Sequence, residues 1–370
     1  MRLLYIADNG FSMNNGVYYY SRPNAVNSDQ YHKYFDSICY IARYSSYNEK
    51  MLPIGNNSKV ILVGRYDIRG VKKAMITLLT EYDVVLLRNG LLGCFAAKYA
   101  KKLGKVLISY CGADPFEFKM TEDTLSGKLI AYYWRYLEKR KMELADYAHY
   151  CTKVLYDRYP CNCLFLICSN VSVKADESIL TRRFEKLSKP FNLLKIGIIG
   201  QYKDNERKGV LTIIKTLKLL GDNYKLEIVG EGNPARYQKK ICMLKLENQV
   251  KFLGYISDRE KLNAWLDDID IYVQPSLSEG LPRATIEAMS RGCPVIASNV
   301  CGLIDLLPND YLISPKDYRT LSEKIIWLSK PEQMKKAAEQ NYYKSLEFTE
   351  DIRDKKLDDF FMKIKKILMI

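Results

Sequence analysis

Histidine is almost missing from this chain: His32 and His149 are the only two in 370 residues. The ten cysteines form no regular C-x-x-C pair. Neither a zinc ribbon nor a His-rich metal centre can be assembled from such spacings, so no metal is expected. No run of eighteen apolar residues occurs, and Met1-Arg2-Leu3-Leu4-Tyr5-Ile6-Ala7-Asp8 turns polar too soon for a signal peptide. The expectation is a cytoplasmic protein whose cysteines, Cys161, Cys163 and Cys168 included, are reduced and buried as small hydrophobes. A net charge of +14 attracts nucleic acid, anionic membranes and anionic small substrates alike. Dense arginine runs and an aromatic RNP-like motif are both lacking, so no nucleic-acid partner is expected. A fixed short repeat is lacking too, which sets aside a solenoid.

What is present is enough chain for two domains, at roughly 150 residues each. Short β-branched runs alternate with longer helical patterns throughout, the pattern of a parallel α/β architecture. Strands are expected at Leu3–Ala7, Val60–Val63, Val84–Leu87 and Val106–Tyr110, then, after the run Leu193–Gly200 restarts the pattern, at Lys225–Val229, Val250–Leu253, Ile269–Val273 and Val295–Ala297. Helices are expected at Val71–Glu81, Leu92–Leu103, Val210–Leu220 and Ala284–Arg291. The turn formers between Asp8 and Tyr31, namely Asn9-Gly10, Asn14-Asn15-Gly16 and Arg22-Pro23, read as a long loop after the first strand. The polar stretch from Ser178 to Pro190 reads as a boundary, giving domains of residues 1–185 and 186–348. Ile352, Leu357, Phe360, Phe361, Ile364 and Leu368 keep helical spacing, so residues 349–370 are expected as an amphipathic helix packed on a domain, the first being the candidate.

The most informative passage is Pro275 to Ser298, which reads as strand, glycine turn, helix, glycine stop and strand. Pro282 suits the first helical position and Gly292 the stop. The amides of Arg283 and Ala284 would then point from the helix N-terminus, where the dipole favours a phosphate and a diphosphate is the natural ligand. Glu279 before the helix and Glu287 within it can each accept a sugar or ribose hydroxyl in a charge-assisted hydrogen bond. The plain alternative for Glu287 is an i, i+4 pair with Arg283, worth roughly 0.2–0.5 kcal/mol.

Residues 190–345, and more weakly the whole chain, resemble the retaining glycosyltransferases of family four, also called group 1. The resemblance rests on Glu279 and Glu287 at E-x7-E spacing, with Pro275-Ser276 before them and Gly292, Pro294 and Val295 after. It implies a GT-B fold, two Rossmann-like domains facing a cleft, with the nucleotide sugar held by the second and the acceptor by the first. Ile198-Ile199-Gly200 followed by Lys208-Gly209-Val210 resembles the family's first strand and Lys-Gly turn, which assigns Lys208 to the donor diphosphate. The family's usual Arg after that first Gly is Gln201 here, and Arg207 is the candidate substitute. Gly230 in Val229-Gly230-Glu231-Gly232 and Tyr255 after Gly254 fall where relatives approach the nucleotide, Tyr255 beside the base. Gly280, Leu281, Arg283 and Ala284 line the expected helix mouth, and Gly16 stands where relatives close a glycine loop on the diphosphate. Asp114, in Gly112-Ala113-Asp114-Pro115, takes the place of the family's active-site His, against the alternative of an Asp capping a turn. His149 sits where the family runs a strand toward the acceptor, although a structural histidine explains it as well.

The function implied is retaining transfer from a nucleotide-diphosphate sugar, UDP before GDP, to a glycan or lipid-linked acceptor hydroxyl in bacterial capsule or lipopolysaccharide synthesis. Catalysis falls to Glu279, Lys208 and Asp114, with no cofactor and no metal. The alternatives are a nucleotide-sugar epimerase of the same fold and, in another class, a nonspecific nucleic-acid binder. A dehydrogenase is disfavoured because Gly197-Ile198-Ile199-Gly200 lacks G-x-G-x-x-G spacing. Lys98, Lys101, Lys102 and Lys105, and the mixed aromatic and basic run Tyr132 to Lys141, suit peripheral contact with an anionic membrane, such as the inner face of the plasma membrane.

Overall fold

The computed structural model describes residues 1–21, 30–49, 51–54, 58–64, 67–78, 81–122, 124–174, 176–202 and 206–368. The chain forms two compact units, Met1–Asn170 with Asp354–Ile370, and Val171–Arg353.

The strands of the first unit are β1 (Arg2–Asn14), β2 (Val17–Ser21), β3 (Ser37–Tyr44), β4 (Met51–Pro53), β5 (Ser58–Val63), β6 (Val84–Leu87), β7 (Val106–Cys111), β8 (Tyr147–Tyr150) and β9 (Leu164–Ile167). Seven of them run parallel in the order β5-β3-β1-β6-β7-β8-β9, the doubly wound order in which the chain starts centrally, builds outward, then crosses to the other side of β1. Covered on both faces, these strands read as continuous apolar runs; all four residues of β6 are buried. One face packs on Leu357, Phe360, Phe361 and Ile364 of the Glu350–Leu368 helix. The other packs on the Ile68–Leu78 and Leu91–Lys102 helices.

The loop expected after the first strand is a hairpin up to Ser21. The strand β1 shifts register between Ile6 and Gly10, and its second half pairs antiparallel with β2. Asn15 and Gly16 turn the chain with φ of 48° and 76°, the left-handed pair that a two-residue hairpin demands. Turn formers marked the corner correctly, but three of them, Asn9, Gly10 and Asn14, lie inside a strand. Arg22 and Pro23 fall outside the described residues.

The second unit contains β10 (Leu194–Ile199), β11 (Tyr224–Val229), β12 (Val250–Gly254), β13 (Ile271–Gln274), β14 (Val295–Ser298) and β15 (Leu312–Ile313). All are parallel, in the order β12-β11-β10-β13-β14-β15, so this unit repeats the doubly wound scheme. Its boundary corrects the expected one by fifteen residues, because the polar Ser178–Pro190 stretch is an amphipathic helix. Ser178–Leu187 buries Ile179, Arg183 and Leu187, and Leu187 joins the second core with Leu194 and Ile196. Val173 N–H already bonds Phe348 O at 2.9 Å, so the second unit begins before that helix.

His149 lies within β8 with 1% of its surface exposed, its Nε2 2.8 Å from Cys168 O and its ring edge-on to Tyr110. Burial pushes its imidazole down from 6.5 to about 4, so it is neutral in the folded chain. The unfolded chain takes up the proton first, so stability is complete above pH 6.5 and falls as pH drops toward 4, by up to about 3 kcal/mol. His149→Gln should flatten that part of the stability curve, as urea midpoints at pH 4.5 and 7 would show.

Candidate active site

In doubly wound sheets ligands collect at the carboxyl ends of the strands where the order reverses. In the second unit that point lies between β10 and β13, and the loops there are stitched together by backbone. Leu277 N–H bonds Arg207 O at 2.7 Å, Gly200 N–H bonds Val229 O at 2.9 Å, and Gly302 N–H bonds Gly280 O at 2.9 Å. Gly209 has a φ of 69°, and a Cβ there would lie 1.9 Å from Pro275 O. Only glycine lets the Lys208 turn press this closely on the Pro275 loop. Gly230 is similarly constrained, with a φ of 150° and its would-be Cβ 1.9 Å from Gly200 O.

That stitching brings Lys208 and Glu279, far apart in sequence, to 2.5 Å between Nζ and Oε1. Their side chains keep 18% and 9% exposure, so the pair sits at a mouth rather than on open surface. A buried polar relay holds the carboxylate from below. Ser276 Oγ donates to Glu279 Oε1 at 2.7 Å, and Gln274 Nε2 donates to Ser276 Oγ at 2.7 Å. The Tyr272 hydroxyl in turn donates to Gln274 Oε1 at 2.6 Å. Burial pushes the Tyr272 hydroxyl well above its usual range, so it remains a donor. Tyr272, Gln274 and Ser276 each have 0% exposure, and fully satisfied networks of this kind fix geometry. Sequence reasoning missed Tyr272 and Gln274; the available signal was polar atoms at the end of an otherwise apolar, buried strand.

The helix beside this pair is Arg283–Ser290. Pro282 is its N-cap, with φ −77° and ψ 105°, one position earlier than the sequence suggested. The first bonded turn runs from Thr285 and Ile286 N–H to Pro282 O, so the Arg283 and Ala284 amides precede it. No side chain caps this terminus. The topologically equivalent helix of the first unit, Leu91–Lys102 after β6, differs. Asp8 Oδ2 accepts from Leu92 N–H at 3.0 Å, and Arg43 Nε holds Asp8 Oδ1 at 2.5 Å. An internal carboxylate fills the anion position in the first unit, whereas no side chain caps the corresponding helix of the second.

Glu287 pairs with Arg259, Nη1 to Oε1 2.6 Å, not with Arg283 as the i, i+4 alternative had it. Its side chain is 8% exposed, while Arg283 projects to solvent. Gly280 and Leu281 are half-buried between Glu279 and the helix. Gln201 is exposed, Arg207 is half-buried in the stitched loop, and Tyr255 keeps 62% of its surface open, unlike a packed core aromatic.

Residues 182–345 match the family described as glycosyl transferases group 1. The chain belongs to that family. Protein CapJ of Staphylococcus aureus is 35% identical over 260 residues, covering 68% of this chain and 64% of CapJ. The amylovoran biosynthesis glycosyltransferase AmsK of Erwinia amylovora is 29% identical over 161 residues, covering 40% of this chain and 38% of AmsK. The matches thus span less than two thirds of either relative. HepE of Anabaena, solved in complex with UDP-glucose, superposes with a TM-score of 0.65 over 97% of this chain and 99% of its own, at 17% identity. That likeness concerns the fold, which is GT-B, with two Rossmann-like units.

In this group 1 chain the first unit does not present its two candidates as ligand contacts. Gly16 is the exposed tip of the β1–β2 hairpin, with no atom within 4 Å of a would-be Cβ. It serves the turn. Asp114 has 0% exposure and is fully committed. Its Oδ1 accepts from Phe116 N–H at 2.9 Å, Glu117 N–H at 3.4 Å and the Tyr159 hydroxyl at 2.6 Å, while Oδ2 takes Arg158 at 2.5 Å. It is an N-cap for the Pro115–Met120 helix, so the capping alternative replaces the active-site assignment.

Proposed function

We propose that the protein transfers a sugar from a nucleoside-diphosphate sugar, UDP before GDP, to a hydroxyl of a glycan or lipid-linked acceptor, with retention, in surface-polysaccharide assembly. The observation that carries this reading is the Lys208–Glu279 pair beside an uncapped helix N-terminus. A lysine ammonium and two helix amides can take up the charge that grows on a departing diphosphate, where electrostatic stabilisation is largest. Glu279, held by Ser276 and Gln274, is placed to accept hydroxyls of the transferred sugar, and Glu287 those of the ribose. The departing phosphate oxygen then takes the acceptor proton, and neither a metal nor a protein base is required. The UDP-glucose held by HepE and the amylovoran assignment of AmsK support the donor and pathway classes. Thermal shift tests the donor: UDP at about one hundred times its Kd should add roughly 2.7 kcal/mol, with GDP adding less. No shift with either nucleotide would remove the reading.

The acceptor side of the proposal includes contact with an anionic membrane through the Leu125–Glu143 helix, which is inside out. Its inward face carries Gly127, Ala131, Met142 and the buried Glu138–Lys141 pair at 2.7 Å. Its outward face exposes Leu125 by 78%, Leu129 by 66%, Tyr132 by 60% and Tyr136 by 58%. Lys128, Lys139 and Arg140 flank those side chains, as a headgroup surface of negative charge would require. Among the described residues no helix is long and apolar enough to cross a membrane. Co-sedimentation with phosphatidylserine-containing vesicles should fall at least about tenfold in Leu129→Glu, at roughly 1.4 kcal/mol per decade. Equal binding by parent and variant, or equal binding to neutral vesicles, would count against this face.

A further inference from the structure

Among the described residues of the first unit, Arg88 carries a positive charge with no carboxylate in ion-pairing range. Arg88 follows β6 at the carboxyl edge of the sheet, beside β1, where the strand order reverses. Its guanidinium carbon sits 3.8 Å from the centre of the Tyr110 ring, and the groups acting on its charge are tyrosines: Tyr5, Tyr110, Tyr31 and Tyr20. Arg88 Nη1 is buried without a hydrogen-bond partner among the described residues.

The surrounding hydroxyls repeat the pattern. Tyr20 and Tyr31 have 0% exposure, and among the described residues neither hydroxyl closes a hydrogen bond of good geometry; nor does Gln30 Nε2, although Gln30 and Arg88 both lie against the Tyr31 hydroxyl. The Tyr5 ring lies 5.8 Å from that of Tyr31, closing the group. Burial raises the Tyr20 and Tyr31 hydroxyls far above their ordinary value, so they stay neutral and cannot serve as counter-ions. Each unpartnered atom can donate. A water could satisfy one or two of these donors, but it would leave the charge unbalanced, and buried charges are ordinarily paired. The Tyr110 face offsets only part of that desolvation. Arg88 as a residue is only half-buried, which leaves a way in.

We propose that Arg88, with the Tyr20 and Tyr31 hydroxyls, forms a binding site for an oxyanion, a phosphate ester or a carboxylate. On the glycosyl-transfer reading above, the site receives an acidic group of the acceptor. A planar guanidinium matches either anion, and two phenols add neutral donors that bring no competing charge. In the first unit the neighbouring helix N-terminus is already filled by Asp8, so this site does not duplicate the diphosphate position of the second unit.

The test uses the full chain, melted in chloride at matched ionic strength against inorganic phosphate, methyl phosphate and acetate. A saturable rise in Tm is expected for the parent and for Lys208→Ala, and the stronger of methyl phosphate and acetate identifies the anion's source. Arg88→Met should lose at least tenfold in anion affinity while melting no lower than the parent in chloride, because it removes an unbalanced buried charge. A merely structural arginine would lower that chloride melting point instead. Tyr20→Phe and Tyr31→Phe should each weaken the anion response severalfold and decide the matter if Arg88→Met does not fold. The proposal is overturned by a parent with no saturable response, by a response intact in all three variants, or by one lost only in Lys208→Ala. Failure of UDP to bind would sink the donor reading and leave this response in place, so the two are separable.

Discussion

Lys208→Ala is expected to lower kcat/KM by about a hundred- to a thousandfold, the usual consequence of removing one charge that stabilises a leaving group. On the proposed transfer the loss should fall on kcat as well as KM, since charge on a departing diphosphate would grow toward the transition state. Stability should change little. Glu279 keeps the Ser276 hydroxyl at 2.7 Å and Gln274 Nε2 at 3.3 Å, so its carboxylate is not stranded when the ammonium goes. Ser276→Ala provides the contrast, because it leaves every charge in place and removes the hydroxyl that donates to Glu279 and accepts from Gln274. Its expected cost is about 1 kcal/mol, roughly fivefold in rate. Initial rates with UDP-sugar as the varied substrate check both variants. Parent-like turnover in Lys208→Ala would show that the diphosphate lies elsewhere.

Why the site was half legible follows from what each residue is constrained by. Lys208, Gly209, Glu279 and Gly280 belong to loops whose backbones press together, and such loops admit few residue types, so the string stands out. Their support does not stand out. Tyr272 reads as one more β-strand aromatic and Gln274 as an odd polar residue; only folding shows that both touch one relay. Strands such as Val84–Leu87 were legible because sheets covered on both faces require continuous apolar runs, whereas the parallel strands Ser37–Tyr44, Tyr147–Tyr150, Leu164–Ile167 and Leu312–Ile313 were not among those expected. The β1–β2 hairpin was hidden because β1 changes partners midway, so no single periodicity runs through Arg2–Asn14. Asp114 misled for a related reason: an Asp before Pro115 carries the same letters whether it caps a helix or faces a substrate, and burial alone distinguishes the two.

The misplaced boundary has an energetic counterpart in Arg183, inside the stretch that reads as a linker. Its side chain is buried, and the guanidinium donates to Leu266 O and Ile269 O at 2.7 Å each and to Arg291 O at 3.1 Å. Those carbonyls end two helices, Arg259–Asp268 and Arg283–Ser290, where acceptors lack partners and the dipole favours a cation. The second of these is the helix whose other end lies at the candidate diphosphate position, so one buried arginine fixes its tail. Arg183→Met should therefore destabilise the chain by about 3–5 kcal/mol, because the methionine fills the space while three carbonyls lose their donor. At roughly 2–4 °C per kcal/mol for a unit of this size, the transition containing the second unit should fall by about 6–20 °C. The adjacent Arg182 is 56% exposed and pairs loosely with Asp176 at 3.6 Å, so Arg182→Met should move the transition by under about 0.5 kcal/mol. Calorimetry on the two variants separates a linker from a keystone: equal, small effects would mean that residues 178–187 are connective after all, and a large effect confined to Arg183 ties them to the second unit.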